Sequence, residues 1–219
     1  MPAGRRALAR PPSPLQPPVH SSHVRIQTAK FELSATSLDA CPPSKLPEFA
    51  FIGRSNVGKS SLLNILSNQS GLARVSKTPG RTREINFFTI NGSWSLVDLP
   101  GYGFAKASAA DRERFNEFVS DYLVLRENLC CAFVLIDSRH PPQQIDQDFV
   151  RWLVDNQIPF ALVFTKTDKV KAGAVKKNIG LFKEAMAEWS EGEAPVFTTS
   201  AKTRDGRREL LKFIGEAIS

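Results

Sequence analysis

Long apolar runs, cysteines and amino-terminal acids are all scarce in this sequence. No apolar run approaches the roughly 18 residues that a membrane-spanning helix needs, and no apolar core of a secretory signal peptide is present. Of the three cysteines, Cys130 and Cys131 are adjacent inside an apolar run, and the set has neither the number of a disulfide framework nor a metal-ligand spacing. These absences exclude a membrane-embedded protein and a disulfide scaffold, and they predict buried thiols in a reducing compartment.

Acidic residues are missing from the first 31 positions, which carry five basic residues. Without these five, 24 basic residues face 22 acidic ones, so most of the formal charge of +7 belongs to the amino-terminal end. This charge is compatible with a polyanionic partner. Arg and Ser without acids are typical of an organelle transit peptide, but the prolines oppose the amphipathic helix of such peptides. We therefore expect residues 1–23 to be a disordered tail on a cytoplasmic protein, with organelle targeting as the alternative.

Beyond the tail, short apolar runs typical of strands alternate with helical stretches. The strand-like runs are FAFIG, INFFTI, SWSLVD, CAFVLID, FALVFT and PVFTTS, and Asn91-Gly92 predicts a hairpin between the second and the third. Helices are predicted from Lys59 and over Ala109–Arg126, Gln143–Asn156, Ala174–Trp189 and Gly206–Ile218. The pattern predicts one α/β domain over 24–219, with a six-stranded, mostly parallel sheet, one antiparallel edge strand and helices on both faces.

The segment GRSNVGKS, Gly53–Ser60, matches the phosphate-binding loop: a glycine, four residues, a second glycine, a lysine and a hydroxyl residue. It follows a predicted strand and opens a predicted helix, which places N–H groups where they attract phosphate. Lys59 is expected to reach the β- and γ-phosphates, and Ser60 to bind Mg²⁺. The predicted nucleotide-binding residues of this loop are Gly53, Arg54, Ser55, Asn56, Val57, Gly58, Lys59, Ser60 and Ser61.

Three later segments indicate a guanine nucleotide. In DLPG, Asp98 is placed to bind Mg²⁺ through water and the Gly101 N–H to contact the γ-phosphate, although DLPG alone would be an ordinary turn. In TKTD, Asp168 is placed to accept hydrogen bonds from the guanine N1–H and 2-amino group, which adenine does not offer in that arrangement. In TSAK, the Ala201 N–H is placed to bind the guanine O6. The predicted base-binding residues are Thr165, Lys166, Asp168, Ser200, Ala201 and Lys202.

The ordered set GRSNVGKS, PGRTR, DLPGYGFAK, TKTD and TSAK resembles the EngB family of bacterial ribosome-biogenesis GTP-binding proteins, over essentially all of residues 24–219. The resemblance implies the P-loop GTPase fold and a Mg²⁺-dependent enzyme that hydrolyses GTP to GDP. It also implies a cytoplasmic, monomeric protein that assists assembly of the large ribosomal subunit, with a plausible contact to ribosomal RNA and a link to cell division.

By position in PGRTR, the resemblance implies that Thr82 ligates Mg²⁺ and contacts the γ-phosphate, with Thr78 as the competing choice. The expected catalytic residues are then Lys59, Thr82 and Gly101, and the expected Mg²⁺ ligands are Ser60, Thr82 and Asp98. The surrounding segment, 71–83, carries four basic residues and no acid. It is either a solvated switch loop or a contact for RNA phosphates.

Two residues depart from the commonest pattern. Thr165 stands where most guanine signatures carry asparagine, which predicts a weaker side-chain tie to the phosphate loop. Tyr102 stands where such sites often carry a water-orienting glutamine, which predicts slow intrinsic hydrolysis. Asn56 is a candidate to hold K⁺ beside the phosphates, or only to shape the loop. The alternative function is a GTP-gated binding module with negligible turnover; an ATP-dependent kinase is disfavoured by Asp168.

Overall fold

The computed structural model describes residues 24–43, 45–73, 84–102 and 109–219, with the backbone alone over 109–116. The predicted tail, 1–23, lies outside the described residues. The strands are β1 Ala29–Ala35, β2 Glu48–Gly53, β3 Ile85–Ile90, β4 Trp94–Asp98, β5 Leu129–Asp137, β6 Phe160–Thr165 and β7 Val196–Thr198. The helices are α1 Lys59–Ser67, α2 Ala109–Leu125, α3 Gln144–Asp155, α4 Ala172–Ala187 and α5 Arg207–Ala217.

The described strands form one seven-stranded sheet in the order β1-β3-β4-β2-β5-β6-β7. Strand β3 runs antiparallel to both β1 and β4, and the other pairs are parallel. The predicted α/β architecture is confirmed, but the count of six strands is wrong. The additional strand β1 forms the edge, so the antiparallel strand β3 lies one position inside it. Most β1 residues are at least partly exposed, and such a strand carries little of the apolar signal that predicts a buried one.

The core lies in two layers, one on each face of the sheet, because successive strand side chains point to opposite faces. On β2, Phe49 and Phe51 pack in the layer with α1 and α5. The intervening Ala50 and Ile52 pack in the layer with α2, α3 and α4. Every residue of β2 is buried, as expected for a central parallel strand covered on both faces.

The predicted hairpin is confirmed. Asn91 and Gly92 both have positive φ, 51° and 65°, as a two-residue turn of this type requires. The Asn91 side chain also binds the segment before β1, because its Oδ1 accepts hydrogen bonds from the Gln27 and Thr28 N–H groups at 2.8 and 3.0 Å. The turn therefore fixes the chain that enters β1. No helix within the described ranges is long and apolar enough to cross a membrane.

Candidate functional site

The phosphate loop lies between the end of β2 at Gly53 and the start of α1 at Lys59. Two of its residues adopt left-handed backbone, Asn56 with φ 62° and Gly58 with φ 106°. At Gly58 this conformation leads directly into α1, whose first N–H groups have no partner within the helix. The loop thus presents donors to an anion at the carboxyl end of a central strand.

Lys59 and Asp98 meet beside this loop. Asp98 ends β4, opposite Phe51 of β2, and its Oδ1 accepts a hydrogen bond from the Lys59 ammonium group. The two side chains are 14% and 10% exposed, so water screens the ion pair only partly. Ser60 follows Lys59 in the first turn of α1. A hydroxyl and a carboxylate oxygen are hard donors of the kind that Mg²⁺ prefers, so these residues fit the predicted metal site.

The DLPG segment packs directly on the phosphate loop. The Leu99 N–H donates a 3.0 Å hydrogen bond to the Phe51 carbonyl, which continues the strand pairing beyond Asp98. A Cβ atom at Gly101 would collide with the Gly53 carbonyl oxygen and lie 3.5 Å from the Ser55 nitrogen. Only glycine permits this close approach to the phosphate loop. Gly101 is also the residue whose N–H is expected to contact the γ-phosphate.

Thr165 links the phosphate loop to the predicted base-binding segment TKTD, which we refer to as the guanine-side loop. Its buried hydroxyl donates a 2.6 Å hydrogen bond to the Val57 carbonyl and lies 3.2 Å from the Ile136 carbonyl. The sequence predicts a weak contact here, because threonine replaces the usual asparagine. The Thr165 hydroxyl nevertheless joins the two loops. Lys166 adds a second tie, because its ammonium group donates to the Asn56 carbonyl at 2.5 Å.

The TKTD and TSAK segments are joined through Ser200. Its buried hydroxyl donates a 2.7 Å hydrogen bond to Asp168 Oδ1 and accepts from the Lys202 and Thr203 N–H groups at 3.2 and 3.1 Å. The hydrogen bond from Ser200 and the nearby Lys169 lower the pKa of Asp168. Asp168 is thus held as an ionised acceptor beside the turn that carries Ala201.

Asp137, at the end of β5, is a site residue that the sequence reasoning missed. Its carboxylate accepts hydrogen bonds from Lys166 at 2.7 Å and from the Arg139 guanidinium at 2.7 to 3.2 Å. Burial acts to raise the pKa of Asp137, but these hydrogen bonds outweigh it and hold the pKa well below its usual range. The sequence does contain a signal for this residue, because Asp137 ends the apolar run CAFVLID, and ligands of parallel sheets bind at the carboxyl ends of strands.

Asp146, in the first turn of α3, is the second residue that was missed. It accepts hydrogen bonds from Tyr102 and from Arg54 of the phosphate loop. Tyr102 therefore points toward α3. The predicted switch residue Thr82 and its competitor Thr78 lie outside the described residues, whereas all the other predicted site residues lie within them, at the carboxyl ends of β2, β4, β6 and β7.

Comparisons with known proteins point to one family. Residues 48–166 match a family model described as "50S ribosome-binding GTPase". A Porphyromonas gingivalis protein named "Probable GTP-binding protein EngB" is 49% identical over 191 residues, 87% of this chain and 95% of that protein. A protein of the same name from Christiangramia forsetii is 50% identical over 192 residues, 87% of this chain and 96% of that protein.

Solved structures resemble the fold in the same way. The crystal structure of a probable GTP-binding protein engB has a TM-score of 0.63 and 29% identity, covering 78% of this chain and 98% of that one. Era, crystallised with MgGDPNP and nucleotides of 16S ribosomal RNA, has a TM-score of 0.60 and 24% identity, covering 78% of this chain and 56% of that one. The likeness to Era is one of fold alone.

Proposed function

This chain belongs to the EngB family of GTP-binding proteins and is a P-loop GTPase, and we propose that it hydrolyses GTP as a nucleotide switch in assembly of the large ribosomal subunit. One observation carries the proposal. The phosphate loop is joined on one side to Asp98, through Lys59, and on the other side to the guanine-side loop, through Thr165. The proposal assigns the phosphate loop to the phosphates, Asp98 to Mg²⁺ and Asp168 to guanine, and all three lie at the carboxyl ends of strands in one sheet.

Hydrolysis of GTP depends mainly on positioning and on neutralising charge. Water attacks the γ-phosphorus, the bond to the β–γ bridging oxygen breaks, and GDP and phosphate leave. Lys59 would exchange its contact with Asp98 for the phosphate oxygens, and Gly101 would offer its N–H to the γ-phosphate. Ser60, Asp98 and Thr82 would hold Mg²⁺, which when bound neutralises charge on the β- and γ-phosphates.

Guanine would be selected at Asp168. An ionised carboxylate accepts hydrogen bonds and donates none, so it matches the N1–H and 2-amino group of guanine. Ser200 supports this role, since its hydrogen bond orients the carboxylate while its other contacts order the turn around Ala201. Adenine would leave Asp168 without these donors, which is costly in a site built for them.

The proposed partner is the large ribosomal subunit or its precursor. The description of the matching family model, "50S ribosome-binding GTPase", supports it, as does the excess of positive charge. The basic segment 71–83 would contact ribosomal RNA phosphates, and the protein would act as a cytoplasmic monomer. Loss of the γ-phosphate would release Thr82 and Gly101 and so alter the affinity for the subunit.

Tyr102 favours a second candidate function, a GTP-gated binding module with negligible turnover. The residue has no amide with which to orient water, and its hydroxyl lies 2.8 Å from Asp146 on α3. For the chain to be an efficient enzyme, another group must orient the attacking water or neutralise the charge that develops during hydrolysis. We propose a ribosomal partner together with K⁺ at the exposed side chain of Asn56.

Single-turnover hydrolysis of GTP in KCl and in NaCl, with and without purified large ribosomal subunits, tests these proposals. We expect the subunits to accelerate hydrolysis, and K⁺ to accelerate it further in the wild-type chain but not in Asn56→Ala. Tight GTP binding without acceleration under any condition would support the binding module instead. Equal rates of Asn56→Ala and wild type in KCl would reject the role of K⁺.

A further inference from the structure

Two side chains from separate segments donate hydrogen bonds to one carboxylate oxygen of Asp146. Oδ1 of Asp146 accepts a 2.8 Å hydrogen bond from the Tyr102 hydroxyl and a 3.1 Å hydrogen bond from Arg54 Nε. Arg54 belongs to the phosphate loop, Tyr102 follows the DLPG segment, and Asp146 lies in the first turn of α3. We refer to Arg54, Tyr102 and Asp146 as the Asp146 latch.

Within the described ranges, the Asp146 latch leaves part of a buried carboxylate without a hydrogen bond. Asp146 is fully buried, and its second oxygen, Oδ2, has no hydrogen-bond partner among the described residues. Burial raises the pKa of Asp146 against the opposing effects of Tyr102 and Arg54. A buried carboxylate oxygen without a donor costs free energy, and a cost of this kind in a folded protein calls for an explanation other than packing.

The ring of Tyr102 also packs against α3. It stacks on Phe149 with ring centroids 4.5 Å apart and an interplanar angle of 22°. Burial and the neighbouring Asp146 raise the pKa of Tyr102 well above its usual value, so the hydroxyl keeps its proton and acts as the donor. Both ends of the side chain therefore fix Tyr102 on α3.

The position of Tyr102 determines that of its neighbour in the chain. Gly101 lies so close to the Gly53 carbonyl oxygen that a Cβ atom would not fit, and one peptide bond separates it from Tyr102. Arg54 links the same loop to Asp146 from the other side. Gly101 and the phosphate loop are therefore both connected to Asp146, Gly101 through Tyr102 and the loop through Arg54.

We propose that Asp146 is a positioning residue for GTP hydrolysis, which fixes Gly101 against the phosphate loop by anchoring Tyr102 and Arg54 to helix α3. This inference rests on the proposed function. It gives the tyrosine at the glutamine position a task of its own: the residue aligns the loop and leaves activation of water to other groups.

Three variants test the latch. Tyr102→Phe removes one hydroxyl and leaves the ring stack intact, so folding should survive. Asp146→Ala removes the acceptor, and Asp146→Asn keeps an acceptor oxygen of the same size. In single-turnover hydrolysis with large ribosomal subunits, Tyr102→Phe and Asp146→Ala should be roughly tenfold slower than wild type, because misplaced reacting groups cost rate more than binding. The Kd for GDP should change less than threefold, and Asp146→Asn should recover part of the rate.

The chain contains a matched control, because its only other tyrosine makes the same kind of contact elsewhere. The Tyr122 hydroxyl donates a 2.8 Å hydrogen bond to the buried Glu48, which begins β2 at the end opposite Gly53. Tyr122→Phe should lose stability without slowing hydrolysis per folded molecule. Asp148→Asn, an exposed carboxylate on the same helix, controls for charge on α3.

A second readout needs no catalysis. Amide hydrogen exchange of residues 98–102 and of the first turn of α3 should rise in Tyr102→Phe and Asp146→Ala, and should remain at the wild-type level in Tyr122→Phe and Asp148→Asn. The double variant Tyr102→Phe/Asp146→Ala should be no slower than Asp146→Ala, because both substitutions remove the same hydrogen bond between Tyr102 and Asp146.

Four outcomes would overturn the inference: wild-type rates in Tyr102→Phe, additive rate losses in the double variant, unchanged exchange in residues 98–102, or equal slowing by Tyr122→Phe. Failure of the proposed function would look different. The wild-type chain would then hydrolyse no GTP, while the exchange experiment would still decide whether the latch exists.

Discussion

The hydroxyl of Thr165 donates a hydrogen bond to the main-chain carbonyl of Val57, 108 residues earlier in the chain, at 2.6 Å. Both residues are buried, at 3% exposure each. This contact joins the loop that would read the base to the loop that would hold the phosphates.

Replacing Thr165 by Val should therefore weaken both stability and nucleotide binding. The change keeps the shape of the side chain but leaves the buried Val57 carbonyl without its donor, at a cost of about 1–3 kcal/mol. Urea denaturation and GDP titration measure the two effects. Thr165→Ser is the matched control, since it keeps the hydroxyl. Identical stability of Thr165→Val and Thr165→Ser would show that the hydrogen bond contributes nothing.

Lys59→Ala should lower the rate of GTP hydrolysis by at least about a hundredfold, because it removes the preorganised charge nearest the predicted β- and γ-phosphates. It also leaves Asp98, which is largely shielded from water, without its ion-pair partner. The measurement is single-turnover hydrolysis at saturating GTP. Lys212→Ala, a surface lysine of α5 that pairs with Glu216, should hydrolyse at the wild-type rate. Appreciable turnover in Lys59→Ala would contradict the proposed role.

Asp98→Asn should shift the Mg²⁺ dependence of nucleotide binding to higher concentration. The substitution keeps the size of the side chain and removes the negative charge that attracts the cation. Titration with Mg²⁺ at fixed GTP measures the shift, with the exposed Asp155→Asn as control. If both variants give the wild-type midpoint, Asp98 does not serve the metal.

Asp137 should stabilise the fold in a pH-dependent manner. Burial opposes ionisation, but hydrogen bonds from Arg139 and Lys166 hold its folded-state pKa well below the usual value, which is about 3.9 in the unfolded chain. The stabilisation is therefore complete above about pH 4 and is lost as the pH falls toward the folded-state pKa. Asp137→Asn should cost about 1–3 kcal/mol at pH 7, and less at pH 3. A difference in urea stability from wild type that does not shrink on acidification would refute the linkage.

Asp168→Asn should exchange the base preference from guanine to xanthine. Asparagine presents a donor as well as an acceptor, and xanthine carries an oxygen where guanine carries the 2-amino group. We expect the affinity for GTP to fall at least tenfold and that for XTP to rise relative to the wild-type chain. Competition of GTP, XTP and ATP for a fluorescent nucleotide measures this. Unchanged preference would place the base elsewhere.

The short motifs and the alternation of apolar and helical segments were readable from the sequence, because each is encoded by neighbouring residues. GRSNVGKS needs only the end of β2 and the start of α1, and the Asn91-Gly92 turn joins β3 and β4, the strands directly before and after it. The helices predicted over Gln143–Asn156 and Gly206–Ile218 begin and end within one residue of α3 and α5. Local patterns therefore determined the fold class and which residues are candidates for the site.

The amino-acid order specifies which chemical groups this protein carries, whereas the packing of the strands and helices brings particular groups into contact. Tyr102 and Asp146 lie 44 residues apart, and Arg54 and Asp146 lie 92 apart, so no periodicity or motif connects them. Strand β1 was missed because most of its residues are at least partly exposed, and its pairing with β3 joins residues 50 to 61 positions apart. Hydrogen bonds between distant residues depend on how the sheet orders its strands, and that order is a property of the whole folded chain.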